Sequence, residues 1–160
     1  METESGEGFM KDRGKVSDLE THLGYWLRFV SNQVSHSFAQ KVKEKGVTVA
    51  EWVFLRQLYE GEERPGRLAE ALGMTKGAIS KLADRLQQKK LIVRKEESDG
   101  RAHTLRLSPS GRRLVPVLAA LADENDAAFF GHLKSRDRKL IQDVMKDIVT
   151  RQGLKSVPVE

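Results

Sequence analysis

The sequence predicts a mainly α fold carrying one small β-hairpin, and three observations carry that expectation. Apolar residues recur at spacings of three and four over most of the chain, the period of amphipathic helices. Only two short runs, 92–96 and 104–108, alternate apolar and polar positions as strands do. Helix-start signals stand at the seams: Thr48-Val-Ala-Glu51 has capping-box form, and Ser108-Pro109 places a cap before a first-turn proline. At 160 residues the chain suffices for one domain with helical extensions around a real core.

The elements follow in order. Met1 to Lys15 is polar and Gly-rich, without an apolar stretch able to act as a secretory signal, and residues 1–16 read as a disordered arm. Ser17-Asp-Leu-Glu20 also has capping-box form. Beyond it Leu19, Leu23, Trp26, Leu27, Val30, Val34, Phe38 and Val42 form one stripe, predicting a helix of about seven turns that ends near Gly46. So long a helix exceeds what a small domain needs and suits a subunit contact. A second helix runs from the Thr48 box to Tyr59, with Ala50, Val53, Phe54 and Leu58 inward. Gly61 to Gly66 reads as a loop, Arg67 to Leu72 as a short helix closed by Gly73, and Thr75 as the cap of a helix reaching Lys90.

The hairpin pairs Ile92–Glu96 with Thr104–Ser108 across a polar segment that contains Asp99-Gly100. After Ser108-Pro109, the residues Leu114, Val117, Leu118, Leu121, Phe129 and Leu133 carry a long helix, with Pro116 in its early turns or at a kink. A last helix starts at Ser135 or Arg136 and buries Leu140, Ile141, Val144, Met145 and Ile148; residues 152–160 read as a frayed tail.

Composition excludes several classes of function. With no cysteine there are no disulfides, thiolate nucleophiles, thiol sensors or cysteine-ligated zinc. No apolar run approaches the ~18 residues of a membrane span, so the expectation is a cytoplasmic protein without a membrane partner. The net charge of +5 is unevenly spread. Thr75 to Arg113 holds 11 Lys/Arg against 4 Asp/Glu, while the remainder holds 17 against 19. A basic segment favours a polyanionic partner without proving one.

What lies in and just before that segment decides the matter. Ala69 is a small residue where two helices can touch, Gly73 follows four residues on, and Ile79 and Leu82 lie ten and thirteen after Ala69, with Leu68, Leu72 and Leu86 inward. That is the pattern of a helix-turn-helix. On the opposite face of its second helix stand Thr75, Lys76, Gly77, Ser80, Lys81 and Arg85. Short polar side chains there can approach base edges in the major groove, Gly77 lets the backbone come close, and Lys76 and Lys81 suit phosphates. For any single one of these residues a solvated helix face explains as much; the ensemble points to duplex DNA. The hairpin that follows is a wing, giving a winged helix-turn-helix over 47–108, flanked by a helical dimerisation region at 17–46 and 109–151. At the wing tip Arg101 can enter a narrow minor groove, and Asp99 either orients that guanidinium or simply makes the turn. Arg94, Lys95 and His103 are candidate phosphate neighbours.

From Leu19 to Arg151 the chain resembles the multiple antibiotic resistance regulator (MarR) family. The carriers are Gly73-Met-Thr-Lys-Gly-Ala-Ile-Ser-Lys-Leu-Ala-Asp-Arg-Leu86, Leu91-Ile-Val-Arg94, Asp99-Gly-Arg101 and Leu105-Arg-Leu-Ser-Pro-Ser-Gly111. The resemblance implies a triangular homodimer with interlocked terminal helices. It also implies a local regulator on a pseudo-palindromic operator, released by a small, often aromatic or phenolic anion. Gly100 departs from the family, which often has Arg between the wing Asp and Arg, and the expectation is a weakened phosphate contact and a more flexible wing tip. The family's cysteine-based peroxide sensing is excluded in a chain without a thiol.

A ligand cavity is expected where the first, second and fifth helices meet, with Tyr25, Trp26, Arg28, Phe29 and Trp52 as aromatic walls and a cation; plain core packing is the competing account, favoured for Trp26. His22, His36, His103 and His132 lack metal-ligand spacing and read as surface or helix-end residues, and neither a cofactor nor a catalytic motif is visible. Two further roles fit a winged helix: an architectural DNA binder without effector, and a protein-contact module.

Overall fold

The computed structural model describes residues 16–98 and 102–155. The N-terminal arm up to residue 15, the tail from 156, and the wing-tip residues Asp99, Gly100 and Arg101 lie outside the described residues. Six helices and a hairpin follow in the order α1 (Leu23–Lys43), α2 (Val49–Leu58), α3 (Pro65–Leu72), α4 (Lys76–Gln88), β1 (Ile92–Glu96), β2 (His103–Leu107), α5 (Pro109–Phe130) and α6 (Ser135–Gln152). A mainly α winged helix-turn-helix is what forms.

The N-terminus departs from expectation. The Ser17 capping box does not form; a 3-10 turn over Leu19–Thr21 precedes α1, and His22 separates the two in an extended conformation. The Thr48 box does form, with Glu51 N–H donating to Thr48 Oγ1 and Thr48 N–H to Glu51 Oε2, each at 3.1 Å. Pro65 is the first residue of α3 rather than part of the preceding loop, because its missing N–H is one that a helix start leaves free anyway. Gly73 ends α3 at φ 63°, where Met74 N–H bonds the Ala69 carbonyl at 2.9 Å and Gly73 N–H bonds Glu70, a Schellman closure that suits glycine. Lys90 makes the same left-handed closure after α4 at φ 58° without that freedom.

β1 and β2 pair antiparallel with Ile92 opposite Leu107 and Glu96 opposite His103. Glu63 bridges the other edge of β2, beyond the expected hairpin, exchanging backbone bonds of 3.0 and 2.8 Å with Leu105. A single bridged residue leaves no alternating pattern to read. Ser108 caps α5 by accepting from Gly111 N–H, and its hydroxyl donates to the Lys90 carbonyl at 2.7 Å. Pro116 sits past the first turn of α5 and removes the N–H that would bond Arg112. Val115 and Leu118 beside it are buried, which keeps that stretch helical.

The core gathers Phe54, Leu55 and Leu58 of α2, Leu68 of α3, Ile79 and Leu86 of α4, Ile92 and Leu105 of the hairpin, and Leu118 of α5. It centres on α2, α3, α4 and the hairpin, with Val42 of α1 and Val115 and Leu118 of α5 packed into it. Leu133 lies between α5 and α6, not within a long helix. The expected buried stripe of α6 is also corrected: Leu140, Ile141, Val144, Met145 and Ile148 are all exposed in the single chain, Val144 by 51%. Leu19, Leu23, Leu27 and Val30 are exposed as well. The period does mark one apolar face on each helix, but nothing among the described residues covers it. No helix among those residues is long and apolar enough to cross a membrane.

Candidate nucleic-acid interface

The α3–turn–α4 unit is held from behind. Ile79, Leu82, Ala83 and Leu86 of α4 are buried with Leu68 and Ala69 of α3 and Met74 of the turn. Helical geometry then sends the intervening residues outward, and Thr75, Lys76, Gly77, Ser80, Lys81 and Arg85 are all exposed. Thr75 Oγ1 accepts from Ala78 N–H at 3.1 Å, so its acceptor role is local and its O–H remains a donor. Among the described residues no ion pair engages Lys76, Lys81 or Arg85, and the face they form is a cationic edge on a protruding helix.

The wing cations stand differently. Arg94 Nη2 donates to Asp84 of α4 at 2.6 Å, tying β1 to the exposed helix. Lys95 lies 4.0 Å from Glu62, and Arg64 reaches both oxygens of Glu97 at 2.9 and 3.1 Å. These pairs brace the wing against the body, each exposed enough to be worth at most about 1 kcal/mol. His103 is half-buried opposite Glu96. Asp99 and Arg101 lie outside the described residues. Asp84 and Arg64 are not among the residues the sequence points to. A carboxylate between Lys81 and Arg85 on one helix face is the available signal for Asp84; Arg64 has none, since its partner is 33 residues away.

A more deeply buried ion pair sits behind α4. Glu51 is 1% exposed; its Oε2 accepts from Lys89 Nζ at 2.7 Å, and its Oε1 has no partner. Lys89 also donates to the Gly46 carbonyl at 2.8 Å. One ammonium therefore joins the end of α4 to the end of α1 and the start of α2. Glu51 is legible as a cap; its pairing with Lys89 is not, because it depends on how α4 crosses α2.

The aromatic residues expected as ligand walls do not converge within the chain. Tyr25 packs edge-on to Trp26 at 5.2 Å and near Phe29 at 6.4 Å, a cluster on the exposed first half of α1 where Arg28 is exposed too. Trp26 is 46% exposed rather than core, its indole N–H bonded to the Glu20 carbonyl at 2.8 Å. Trp52 packs instead on Phe38 at 6.4 Å. A cleft of about 610 Å³ does lie between α1 and α5, reaching the first residue of α2, but its apolar wall is Val34, Phe38, Ala39, Val49 and Ala122. Asn125 completes it, 3% exposed; its Nδ2 donates to the Val34 carbonyl at 3.2 Å and its Oδ1 has no partner. A polar residue on the stripe of Leu118, Leu121 and Phe129 is the signal for it. Among the described residues no group of three or more His, Asp or Glu is placed to hold a metal.

Residues 45–102, the segment from the turn before α2 to the wing, match the sequence model of the MarR family. An uncharacterized HTH-type transcriptional regulator of Bacillus cereus is 28% identical over 146 residues, 84% of this chain and 93% of its own length. MepR of Staphylococcus aureus, solved as a DNA complex, superposes with a TM-score of 0.73 at 23% identity, covering 81% of this chain and 98% of that one. BpsR of Bordetella bronchiseptica, whose DNA binding is regulated by 6-hydroxynicotinic acid, gives 0.73 at 22%, covering 84% and 98%. Over the winged domain the chain is therefore similar in sequence to the MarR family, and across most of its length it shares the winged-helix fold of these regulators.

Proposed function

We propose that the protein is a homodimeric repressor that reads a pseudo-palindromic operator and performs no chemistry on it. The observation carrying this is the exposed edge of α4, where Lys76, Lys81 and Arg85 stand without carboxylate partners among the described residues. Thr75, Gly77 and Ser80 near its N-terminal end are short enough to let the helix into a major groove. Lys76, Lys81 and Arg85 neutralise phosphates, and Arg101 at the wing tip, beside Asp99, enters the flanking minor groove. Arg94, Lys95 and His103 lie along the wing; Arg94 acts while braced by Asp84.

The dimer is supported by the uncovered apolar residues of α6 and the first half of α1, too many for a monomer surface. A twofold partner repeats α4 about 34 Å away, one turn of DNA. Occupied promoter DNA then excludes polymerase, in the cytoplasm. Release by a small aromatic ligand completes the reading, supported by the regulation of BpsR by 6-hydroxynicotinic acid. A ligand acts by binding better to a dimer whose reading helices have the wrong separation. Tyr25, Trp26, Arg28 and Phe29 contribute to its site only where a partner subunit closes over α1, while Trp52 backs the cleft through Phe38.

The test is a fluorescence-anisotropy titration of the DNA upstream of the coding sequence against a scrambled duplex, over a salt series. Arg101→Ala weakens binding to the upstream DNA by about tenfold, and Lys81→Ala flattens the salt slope by about one unit, the share of a single phosphate. Equal affinity for both duplexes indicates an architectural binder, and binding to neither indicates a protein-contact module. Either result overturns the proposal.

A further inference from the structure

The hairpin has two faces, and only the inner one is packed. Ile92, Leu105 and Leu107 are buried in the core that Ile79 and Leu86 of α4 also enter, so α4 lies on the inner side. Arg94, in phase with Ile92 along β1, accordingly reaches Asp84 of α4. Val93 and Arg106 are a cross-strand pair in the opposite phase, on the outer face near the body end of the hairpin. A groove of about 560 Å³ lies there, lined by Val93, Arg106 and Glu62 and by Pro109 and Arg112 of the start of α5.

The charge of this groove is not balanced within the described residues. Its carboxylate, Glu62, lies 4.0 Å from Lys95. Arg106 and Arg112 are both exposed, and among the described residues neither meets a carboxylate. Arg112 is nevertheless held in place: its guanidinium lies 5.4 Å from the centre of the Tyr59 ring. Arg56, paired with Glu60, lies 5.8 Å from the same ring. A guanidinium resting on an aromatic ring gives up side-chain freedom in advance and keeps its N–H fork for a planar carboxylate.

We propose that this outer face docks an acidic segment of a partner protein that carries apolar side chains between its carboxylates. Arg106 and Arg112 take the carboxylates, and Val93 and Pro109 take the apolar side chains. Arginine and tyrosine beside a small apolar patch are the composition of an interface anchor. A lone small anion would leave Val93 and Pro109 uncovered, and a duplex read by α4 lies toward the other side of the sheet. The surface therefore stays available while α4 occupies DNA. This inference goes beyond operator reading and does not depend on repression.

The probe is a fluorescein-labelled peptide alternating aspartate with leucine and phenylalanine, with an asparagine version as control. Anisotropy follows its titration into the full-length protein, alone and saturated with unlabelled duplex. The aspartate peptide binds both forms equally, and at least about tenfold more tightly than the asparagine one. Arg106→Gln with Arg112→Gln lowers its affinity about tenfold, the share of two exposed ion pairs, and leaves duplex affinity and its salt slope unchanged. Arg106→Gln alone spares the Tyr59 contact and lowers it about threefold, which keeps the test decisive if the double variant is unstable. Lys43→Gln with Lys45→Gln, an equal loss of charge at the end of α1, leaves peptide binding unchanged. The proposal is overturned if the arginine variants bind the peptide normally, or if the lysine pair weakens it as much, which is attraction by net charge alone. It is also overturned if duplex displaces the peptide, or if the arginine pair weakens duplex binding and flattens its salt slope by about one unit per residue, the mark of a phosphate surface. Failure of the wild-type protein to bind duplex overturns the operator reading instead, and the titration of the protein alone still decides this one.

Discussion

Replacing Lys89 with Met removes one ammonium and keeps its aliphatic stem. The structure sets the size of the loss. Glu51 is 1% exposed and its second oxygen already lacks a partner, so without Lys89 its charge keeps only the Thr48 N–H at 3.1 Å. Breaking a fully buried pair costs about 3–5 kcal/mol. The Lys89 side chain is 38% exposed, so solvent already screens part of the attraction and lowers the estimate to about 2 kcal/mol. Losing the bond to the Gly46 carbonyl adds about 1 kcal/mol. A total near 3 kcal/mol lowers the Tm by about 6–12 °C in a chain of this size. Thermal unfolding followed by circular dichroism at one fixed protein concentration reads it, since a dimer's midpoint shifts with concentration. Glu51→Gln in the Lys89→Met background recovers about half of the loss, because Gln still caps Thr48 but carries no charge to strand. A Lys89→Met loss below about 0.5 kcal/mol, or strict additivity of the two changes, would refute the account of a buried charge held by one partner.

Other outcomes follow from the same geometry. Gly111→Ala places a methyl carbon 2.1 Å from the Leu91 carbonyl oxygen, a backbone atom that cannot swing aside, and unfolding in urea shows a loss of at least about 2 kcal/mol. Lys90→Gly relieves a left-handed non-glycine residue at φ 58° and raises stability by about 0.5–1 kcal/mol in the same assay. Val144→Asp with Ile148→Asp puts charge on the uncovered face of α6; sedimentation then shows a monomer, and operator affinity falls by at least about a hundredfold while the helical signal persists.

The sequence alone determined the local order of this protein. Helix and strand periods, the Thr48 and Ser108 caps, and Gly73 at a turn that needs positive φ are decided by residues close in the chain. The inward face of α4 followed from them, and so did the outward set of Thr75, Lys76, Gly77, Ser80, Lys81 and Arg85. Weak or duplicated local signals mislead, as at the Ser17 box, which never closes, and at Pro65, which opens a helix inside a Gly-flanked run that resembles a loop. Only the tertiary structure decided what meets across long separations. It paired Lys89 with Glu51 and Arg94 with Asp84, bridged Glu63 to the outer edge of β2, and put Asn125 rather than the α1 aromatics in the cleft. A periodic stripe says that a face is apolar, yet what covers it depends on the whole packing. The α6 stripe shows this most plainly, periodic enough to read as buried and exposed because no described residue of the chain lies over it.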